Sequence, residues 1–388
     1  MDNPESIISH FNITGEVAEV TPLGNGLIND TFKVTTLGDA PDYVLQRINN
    51  SIFTDVDLLQ HNIDLVTAHI RHRLEAEGAE DIDRKVLRFI TADTGKSFWQ
   101  APDGGYWRLS VFIPRSFTYE TVNPQYSYYA GKAFGNFEAM LADMPEELGE
   151  SIPDFHNMEL RRRQLQDAFK ENRAGRASEV KDFVAQLEQY GDEMCLAQRL
   201  HREGKLPKRI CHCDTKVNNM LFDEDGHVLC VIDLDTVMPS LFYSDYGDFL
   251  RSAANTVAED SPEFDRIDVR MDIFEAFTRG YIESASAFLT PLETELLPYA
   301  AALFPYMQAV RFLWDYLNGD LYWKTSYPTH NLVRAQNQWH LFLKVREKEA
   351  EMKAFIGKLY NFAITENNNK QTIGSATASR PHCHKNLK

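Results

Sequence analysis

A chain of 388 residues, 43% of them hydrophobic, is long enough to bury at least two cores. Its net charge of -17 opposes nucleic acid as a partner, and no stretch is long and apolar enough to span a membrane. Nothing near Met1 resembles a secretory signal, since Asp2 and Glu5 stand where basic residues belong, and five cysteines at irregular spacing argue against a disulfide framework and for a reducing, cytoplasmic setting.

The first part of the chain reads as mostly strand. Val17 to Leu23 and Thr31 to Thr36 are β-rich runs joined by Gly24-Asn25-Gly26-Leu27-Ile28-Asn29-Asp30. The glycines let backbone N–H groups approach an anion, and an ordinary Asn-Gly hairpin turn accounts for the same residues. Their place ahead of the acidic loop described below favours a phosphate-binding hairpin, with Gly24, Asn25, Gly26 and Asn29 facing a nucleotide. Tyr43 to Ile48 is a third strand. Protein kinases carry on this strand a lysine that pairs with the phosphates. Gln46 occupies that position here, with Arg47 facing the other way by strand alternation. Either Gln46 meets the phosphates with less electrostatic help, or Arg47 or another cation reaches in through a bulge. Asp55 to Arg73 has the apolar spacing of an amphipathic helix, on which Asp64 pairs with a cation or faces solvent. Val86 to Ile90, Ser97 to Gln100 and Trp107 to Ile113 read as further strands. Phe112 to Thr118 then crosses to a second lobe, where backbone groups are placed to meet adenine.

After Asn123-Pro124 the periodicity becomes helical: Tyr126 to Met140, Arg161 to Lys170, Ser178 to His201, Asp265 to Phe288 and Leu292 to Asn318. Arg161-Arg162-Arg163 reads as a solvated helix start or an acid-pairing patch. The most informative stretch lies among these helices, from Ile210 to Thr236. His212, Asp214 and Asn219 follow the order H-x-D-x-x-x-x-N, and a hairpin turning at Asp225-Gly226 returns the chain to Asp233. Phosphoryl transfer needs one carboxylate for the acceptor hydroxyl and oxygen ligands for magnesium. Asp214 fits the first role, and Asn219 and Asp233 fit the second. Asp235 is the alternative metal ligand, disfavoured because the apolar strand delivers Asp233 first. His212 braces the loop, and Cys211 and Cys213 read as small buried hydrophobes rather than zinc ligands. Asp245-Tyr246-Gly247-Asp248 invites a second metal, but anchoring of the catalytic loop is the better reading. The composition implies lobes at 1–114 and 115–365, and an unstructured polar tail at 366–388.

HCDTKVNN followed by VIDLDT, with GNGLINDTF and YVLQRIN near the N-terminus and RFLWDYLNGDLYW and YPTHNLVR near the C-terminus, resembles the aminoglycoside phosphotransferase superfamily. Within it, the narrower segments resemble the N-acetylhexosamine 1-kinases, over about His10 to about Asn361. The resemblance implies an α+β, bilobal protein-kinase-like fold, with an antiparallel sheet lobe and a larger helical lobe. It implies ATP and Mg2+ as cofactors, Asp214 as catalytic aspartate, and the anomeric C1 hydroxyl of N-acetylglucosamine or N-acetylgalactosamine as acceptor. It also implies sugar contacts from Arg311 and Tyr322. Glutamine at the Gln46 position is common in that family.

Helical spacing makes Arg311 and Asp315 neighbours at i,i+4. A plain helix salt bridge explains that pair, whereas the resemblance favours a pair that turns the guanidinium toward a sugar oxygen. Two other readings stay open. Another small-alcohol kinase of the superfamily would act on choline, homoserine or an aminoglycoside, but choline needs an aromatic cage and an aminoglycoside an acidic pocket, both at odds with Arg311. A nucleotide-binding scaffold without catalysis is suggested by Gln46 alone and opposed by intact Asp214, Asn219 and Asp233.

Overall fold

The structure, a computed structural model, describes residues 4–24, 28–119 and 122–378, by backbone alone from 361 to 378. Asn25 and Gly26, expected to face a nucleotide, lie outside the described residues, as does everything after 378. A short helix, α1 (Pro4–Ile8), precedes strands β1 (Val17–Pro22), β2 (Asp30–Thr36) and β3 (Tyr43–Ile48). Then come helix α2 (Val56–Ala76), β4 (Trp99–Gln100) and β5 (Tyr106–Val111). The strands form one antiparallel sheet in the order β1-β2-β3-β5-β4. Val34, Tyr43, Leu45 and Leu109 bury one face of it against Ile7, Ile8 and Phe11. Helix α2 is capped by Asp55, whose carboxylate accepts from the Leu58 N–H at 2.9 Å. Its stripe of Leu59, Ile63, Val66 and Ile70 faces a second core with Phe53, Phe137 and Leu141, between the sheet and the helices.

Val86 to Ile90 does not form the expected strand; it makes only a bridge from Phe89 to Ser110. The reason is packing: Val86 belongs to the core under α2 and Ile90 to the core under the sheet, so the run cannot keep one alternating face. Asp64 accepts from Gln60 and Ser97 side chains and pairs with no cation among the described residues.

The second lobe comprises α3 (Pro124–Leu141), α4 (Met158–Glu171), α5 (Lys181–Met194), α6 (Leu196–Arg202), α7 (Tyr243–Ala253), α8 (Met271–Ala285), α9 (Pro291–Glu295), α10 (Leu297–Asn318) and α11 (His330–Ala378). Two small hairpin-like ladders lie among them: β6 (Arg209–Cys211) with β9 (Met238–Ser240), and β7 (Met220–Phe222) with β8 (Val228–Val231). Phe117 in the crossing segment pairs with Phe222 of β7 through both backbone hydrogen bonds, 2.9 and 2.8 Å. The expected single helix Ser178 to His201 is broken at Cys195. The Tyr299 hydroxyl from α10 intrudes there, donating to the Met194 carbonyl at 2.7 Å and accepting from the Ala197 N–H at 3.3 Å. Helix α11 continues past Glu366 to Ala378, where composition suggested an unstructured tail; no proline interrupts it before Pro381. No helix among the described residues is long and apolar enough to cross a membrane.

Helices α3 and α8 approach so closely that a Cβ added at Gly131 would lie 2.0 Å from the Phe277 carbonyl oxygen, and one at Gly280 would lie 2.1 Å from that of Tyr128. These contacts are backbone, which cannot move aside. Gly280→Ala is therefore expected to lower stability by about 1–3 kcal/mol or more in denaturant melts. Gly357→Ala on α11, where a Cβ meets nothing within 4 Å, is expected to gain up to about 1 kcal/mol from helix propensity. Equal effects at the two sites would contradict the packing account.

Candidate active site

The loop between β6 and β7 is built on buried acids of α7. Asp245 has no exposed surface, and its two oxygens accept from the backbone N–H groups of His212 at 2.8 Å and Cys213 at 2.7 Å. Asp248 accepts from the Thr215 N–H at 3.1 Å, and Thr215 Oγ1 donates to the Asp245 carbonyl at 2.8 Å. The Asp245 side chain is thus spent on the loop backbone and that of Asp248 is divided between the loop and Arg251, which fits anchoring rather than a second metal. His212 braces the loop from the other side: its Nε2 donates to the Ile232 carbonyl at 2.9 Å. Cys211 and Cys213 are buried, and Cys213 adopts a left-handed φ of 63°. A non-glycine residue held there marks a backbone fixed by its surroundings.

This scaffold presents Asp214 half-buried at the cleft. Asn219 Nδ2 donates to the Asp214 carbonyl at 2.8 Å and to Oδ2 at 3.3 Å, and Lys216 Nζ lies 2.6 Å from Oδ1. Burial pushes the Asp214 carboxyl up, but Lys216 above all, then His212 and Arg251, outweighs it and holds the group below the usual carboxylate range. The carboxylate is therefore ionised at neutral pH. Lys216, two residues beyond Asp214, was not singled out from the sequence, although its position inside the motif offered the signal.

The β7–β8 hairpin delivers Asp233 next to this group. Its φ of 60° is left-handed, and its side chain remains open to solvent. Crowding by the surrounding protein, then the like charges of Asp235 and Asp214, push its carboxyl up to about 6. Since water reaches this carboxylate, the like charges weigh more than the desolvation. Asp235 differs in kind: it is buried, 2.5 Å from Arg108 Nη2 and 2.6 Å from Asn29 Nδ2. Asp235 Oδ2 accepts from Asn29 and Oδ1 is enclosed against Arg108 without a hydrogen bond, whereas the oxygens of Asp233 are open to solvent, as hard-cation ligands must be.

On the sheet side, Gly24 has φ +70° with open space around it, and Asn29 is buried, accepting from the Asn49 N–H at 2.9 Å. Gln46 does not stand alone: its Oε1 accepts from Arg108 Nε at 3.0 Å and its Nε2 donates to Thr31 Oγ1 at 3.3 Å. Arg47 points away, 3.4 Å from Asp103. Arg108, unmarked by any motif, is found only through the pairing of β3 with β5, which sets Gln46 opposite Arg108.

Arg311 and Tyr322 interact with one another. The expected Arg311–Asp315 pair does not form. Asp315 instead accepts from the backbone N–H groups of Leu321, Tyr322 and Trp323 at 2.9, 2.9 and 3.1 Å, and from Asn331 Nδ2 at 2.9 Å. The turn at Gly319 brings those orphan donors back over the helix end, and they take the carboxylate. Arg311 donates to Gln308 at 2.9 Å and lies 5.2 Å from the ring centroids of both Phe155 and Trp323. Burial above all pulls its guanidinium below the ordinary arginine range. Arg161, read from sequence as part of a solvated run, donates to the Phe155 carbonyl at 2.7 Å and is lowered to about 10 by burial and then by the charge of Arg311. Arg162 does pair with acids, Glu188 at 2.9 Å and Asp192 at 2.5 Å. Arg251 lies within electrostatic reach of both Asp214 and Arg311, which ties this patch to the β6–β7 loop. A separate cavity of about 480 Å3, lined by Ile70, Val86, Phe137, Met140, Val231 and Leu234 among others, contains none of these groups.

Solved structures share this architecture at low identity. Spectinomycin phosphotransferase in complex with ADP and spectinomycin is 13% identical at a TM-score of 0.50, covering 90% of this chain and 97% of its own. Choline kinase from Cryptosporidium parvum is 13% identical at a TM-score of 0.51, covering 91% and 94%. A choline/ethanolamine kinase family protein from Mesorhizobium loti is 14% identical at 0.50, covering 92% and 98%. At these identities the likeness shows the fold, a protein-kinase-like sheet lobe with a helical lobe. Residues 19–281, which include most of β1, the β6–β7 loop and α7, match the phosphotransferase enzyme family, and with two thirds of its length so matched the chain belongs to that family.

Proposed function

We propose that this phosphotransferase moves the γ-phosphoryl group of ATP to the anomeric C1 hydroxyl of an N-acetylhexosamine. The observation that carries the reaction is the convergence of Asp214, Asn219 and Asp233 on one cleft, with Asp235 withdrawn into a buried ion pair. Magnesium, if bound here, would supply positive charge against the phosphates as negative charge develops. Asp233 and the amide oxygen of Asn219 supply ligands for it, and the like-charge crowding that raises Asp233 is what a divalent cation relieves. Asp214 accepts the acceptor's proton as that oxygen bonds to phosphorus and the bond to the departing ADP oxygen breaks. Lys216 keeps the Asp214 carboxylate ionised until then.

The acceptor reading rests on Arg311 and Arg161. Both guanidiniums lack a carboxylate ion-pair partner among the described residues, and the charge of Arg311 helps to lower Arg161. Unneutralised positive charge repels choline, ethanolamine and amine-bearing antibiotics, the kind of acceptor named for the similar structures. It suits neutral hydroxyls and an acetamido carbonyl, which accept hydrogen bonds from a guanidinium. The half-exposed Tyr322 ring and the Trp323 ring offer a wall for a sugar face.

Asp214→Asn is expected to lower kcat by about 10²- to 10⁴-fold with nucleotide affinity little changed. Unchanged turnover would remove the base from Asp214.

The two neighbouring aspartates are expected to behave oppositely. The Asp233 carboxyl is raised in the folded protein, so its charge destabilises the fold above about pH 6 and contributes nothing below about pH 4, where it is protonated folded or unfolded. Asp233→Asn should therefore raise Tm at pH 7 and not at pH 4, while abolishing magnesium-dependent turnover; asparagine also tolerates the left-handed φ. Asp235→Asn should lower stability by about 3–5 kcal/mol by stranding Arg108. The reverse ranking in melting and magnesium titrations would move the metal role to Asp235.

Arg311→Ala is expected to raise KM for N-acetylhexosamine by about one to two decades while KM for ATP barely moves. Native sugar KM in that variant would leave Arg311 with a packing role only.

A further inference from the structure

We propose that Arg108 is the cation that meets the nucleotide phosphates at this site, supplying from β5 the charge that Gln46 leaves off β3. The inference rests on the phosphoryl-transfer reading above. Strands β3 and β5 are antiparallel neighbours with Gln46 directly opposite Arg108, so both side chains leave the same face of the sheet. An arginine on β5 therefore reaches the place that a lysine on β3 would occupy.

The guanidinium is held on three sides. Nε donates to Gln46 Oε1 at 3.0 Å, Nη2 lies 2.5 Å from Asp235 Oδ1, and the Phe89 ring centroid is 5.5 Å away. Arg108 is only 2% exposed, and its remaining nitrogen, Nη1, is buried with no hydrogen-bond partner among the described residues. A buried guanidinium N–H without an acceptor is rare enough to call for a missing partner. The neighbours indicate which partner. Asn29, at the end of the glycine-bearing segment, bonds the same Asp235 at 2.6 Å, and Arg108 lies within electrostatic reach of Asp233. The orphan nitrogen thus belongs to a group that shares Asp235 with Asn29 and acts on Asp233, the aspartate open to a metal, where a triphosphate oxygen is the acceptor to hand. Gln46 acts here as a positioning residue: it fixes the fork so that one edge meets Asp235 and Nη1 stays unpaired. Arginine's planar fork can serve both at once; a lysine ammonium on a single stem cannot hold the same three contacts.

The test is calorimetric binding of MgATP and of adenosine to the full chain, for wild type, Arg108→Gln and Arg108→Lys, with melting temperatures measured alongside. Loss of a charged hydrogen bond predicts that Arg108→Gln weakens MgATP by about 10- to 100-fold and leaves adenosine affinity unchanged. Arg108→Lys should fall between, because it keeps the charge and loses the fork. If Arg108→Gln does not fold, Arg108→Lys is read by the same ratio of MgATP to adenosine affinity. A purely architectural arginine would weaken both ligands together or neither, and either result overturns the proposal. Wild-type protein that binds no MgATP would instead refute the phosphoryl-transfer reading and Arg108's part with it.

Discussion

The site depends on the buried carboxylate of Asp245. Because it is fully enclosed, it must be satisfied by donors, and the donors it takes are the backbone N–H groups of His212 and Cys213. Those two bonds pin the start of the β6–β7 loop to α7, and α7 is itself embedded against α10, where a Cβ at Gly247 would lie 2.6 Å from the Ala300 carbonyl oxygen. Burial pushes the Asp245 carboxyl up, and burial together with the Asp245 charge holds neighbouring Glu138 well above the usual carboxylate range. Rigidity at the loop is thus secured from below by polar groups that never face the cleft. Asp214 inherits its position from them.

Acidic residues in this protein divide into two sets with opposite environments. Asp245, Asp248 and Asp235 are buried, and their oxygens are engaged by backbone N–H groups, Arg251, Arg108 and Asn29. Asp214 is half-buried and Asp233 exposed. The division explains how neighbouring aspartates in one short stretch, Asp233 and Asp235, serve different ends: one is left with open oxygens and raised by its neighbours, the other joins the sheet lobe to the helical lobe. Cys213 and Asp233, both at left-handed φ, lie on the two segments that converge there, which is where stored backbone strain is usual.

Much of this was legible from local pattern. The H-x-D-x-x-x-x-N order, the Asp225-Gly226 turn with Gly226 at φ +81° and the apolar strand before Asp233 are all short-range signals, and the β7–β8 hairpin follows them. The first three strands and α2 were legible for the same reason. What was not legible depends on contacts distant in sequence. Arg108 reaches Gln46 only through strand pairing across 62 residues. Cys195 breaks a helix because a tyrosine from α10, 105 residues from Met194, takes its backbone bonds. Asp315 abandons Arg311 because three backbone donors fold back over the helix end, which i,i+4 spacing cannot register. Arg161 looked like one of three solvated arginines, and only the tertiary placement of α4 beside α10 gives it Arg311 as a neighbour.

The proposed acceptor at Asp214 is a sugar hydroxyl rather than that of an amino alcohol or antibiotic. Its most direct test is incubation of the full chain with MgATP and a panel of N-acetylhexosamines, other free sugars, choline, ethanolamine and aminoglycosides, with ATP consumption measured and the product's phosphorus position read by NMR. The account predicts turnover with N-acetylhexosamine and a phosphorus resonance coupled to the anomeric proton. Turnover confined to choline, ethanolamine or an aminoglycoside, or phosphate on any other sugar oxygen, would contradict it.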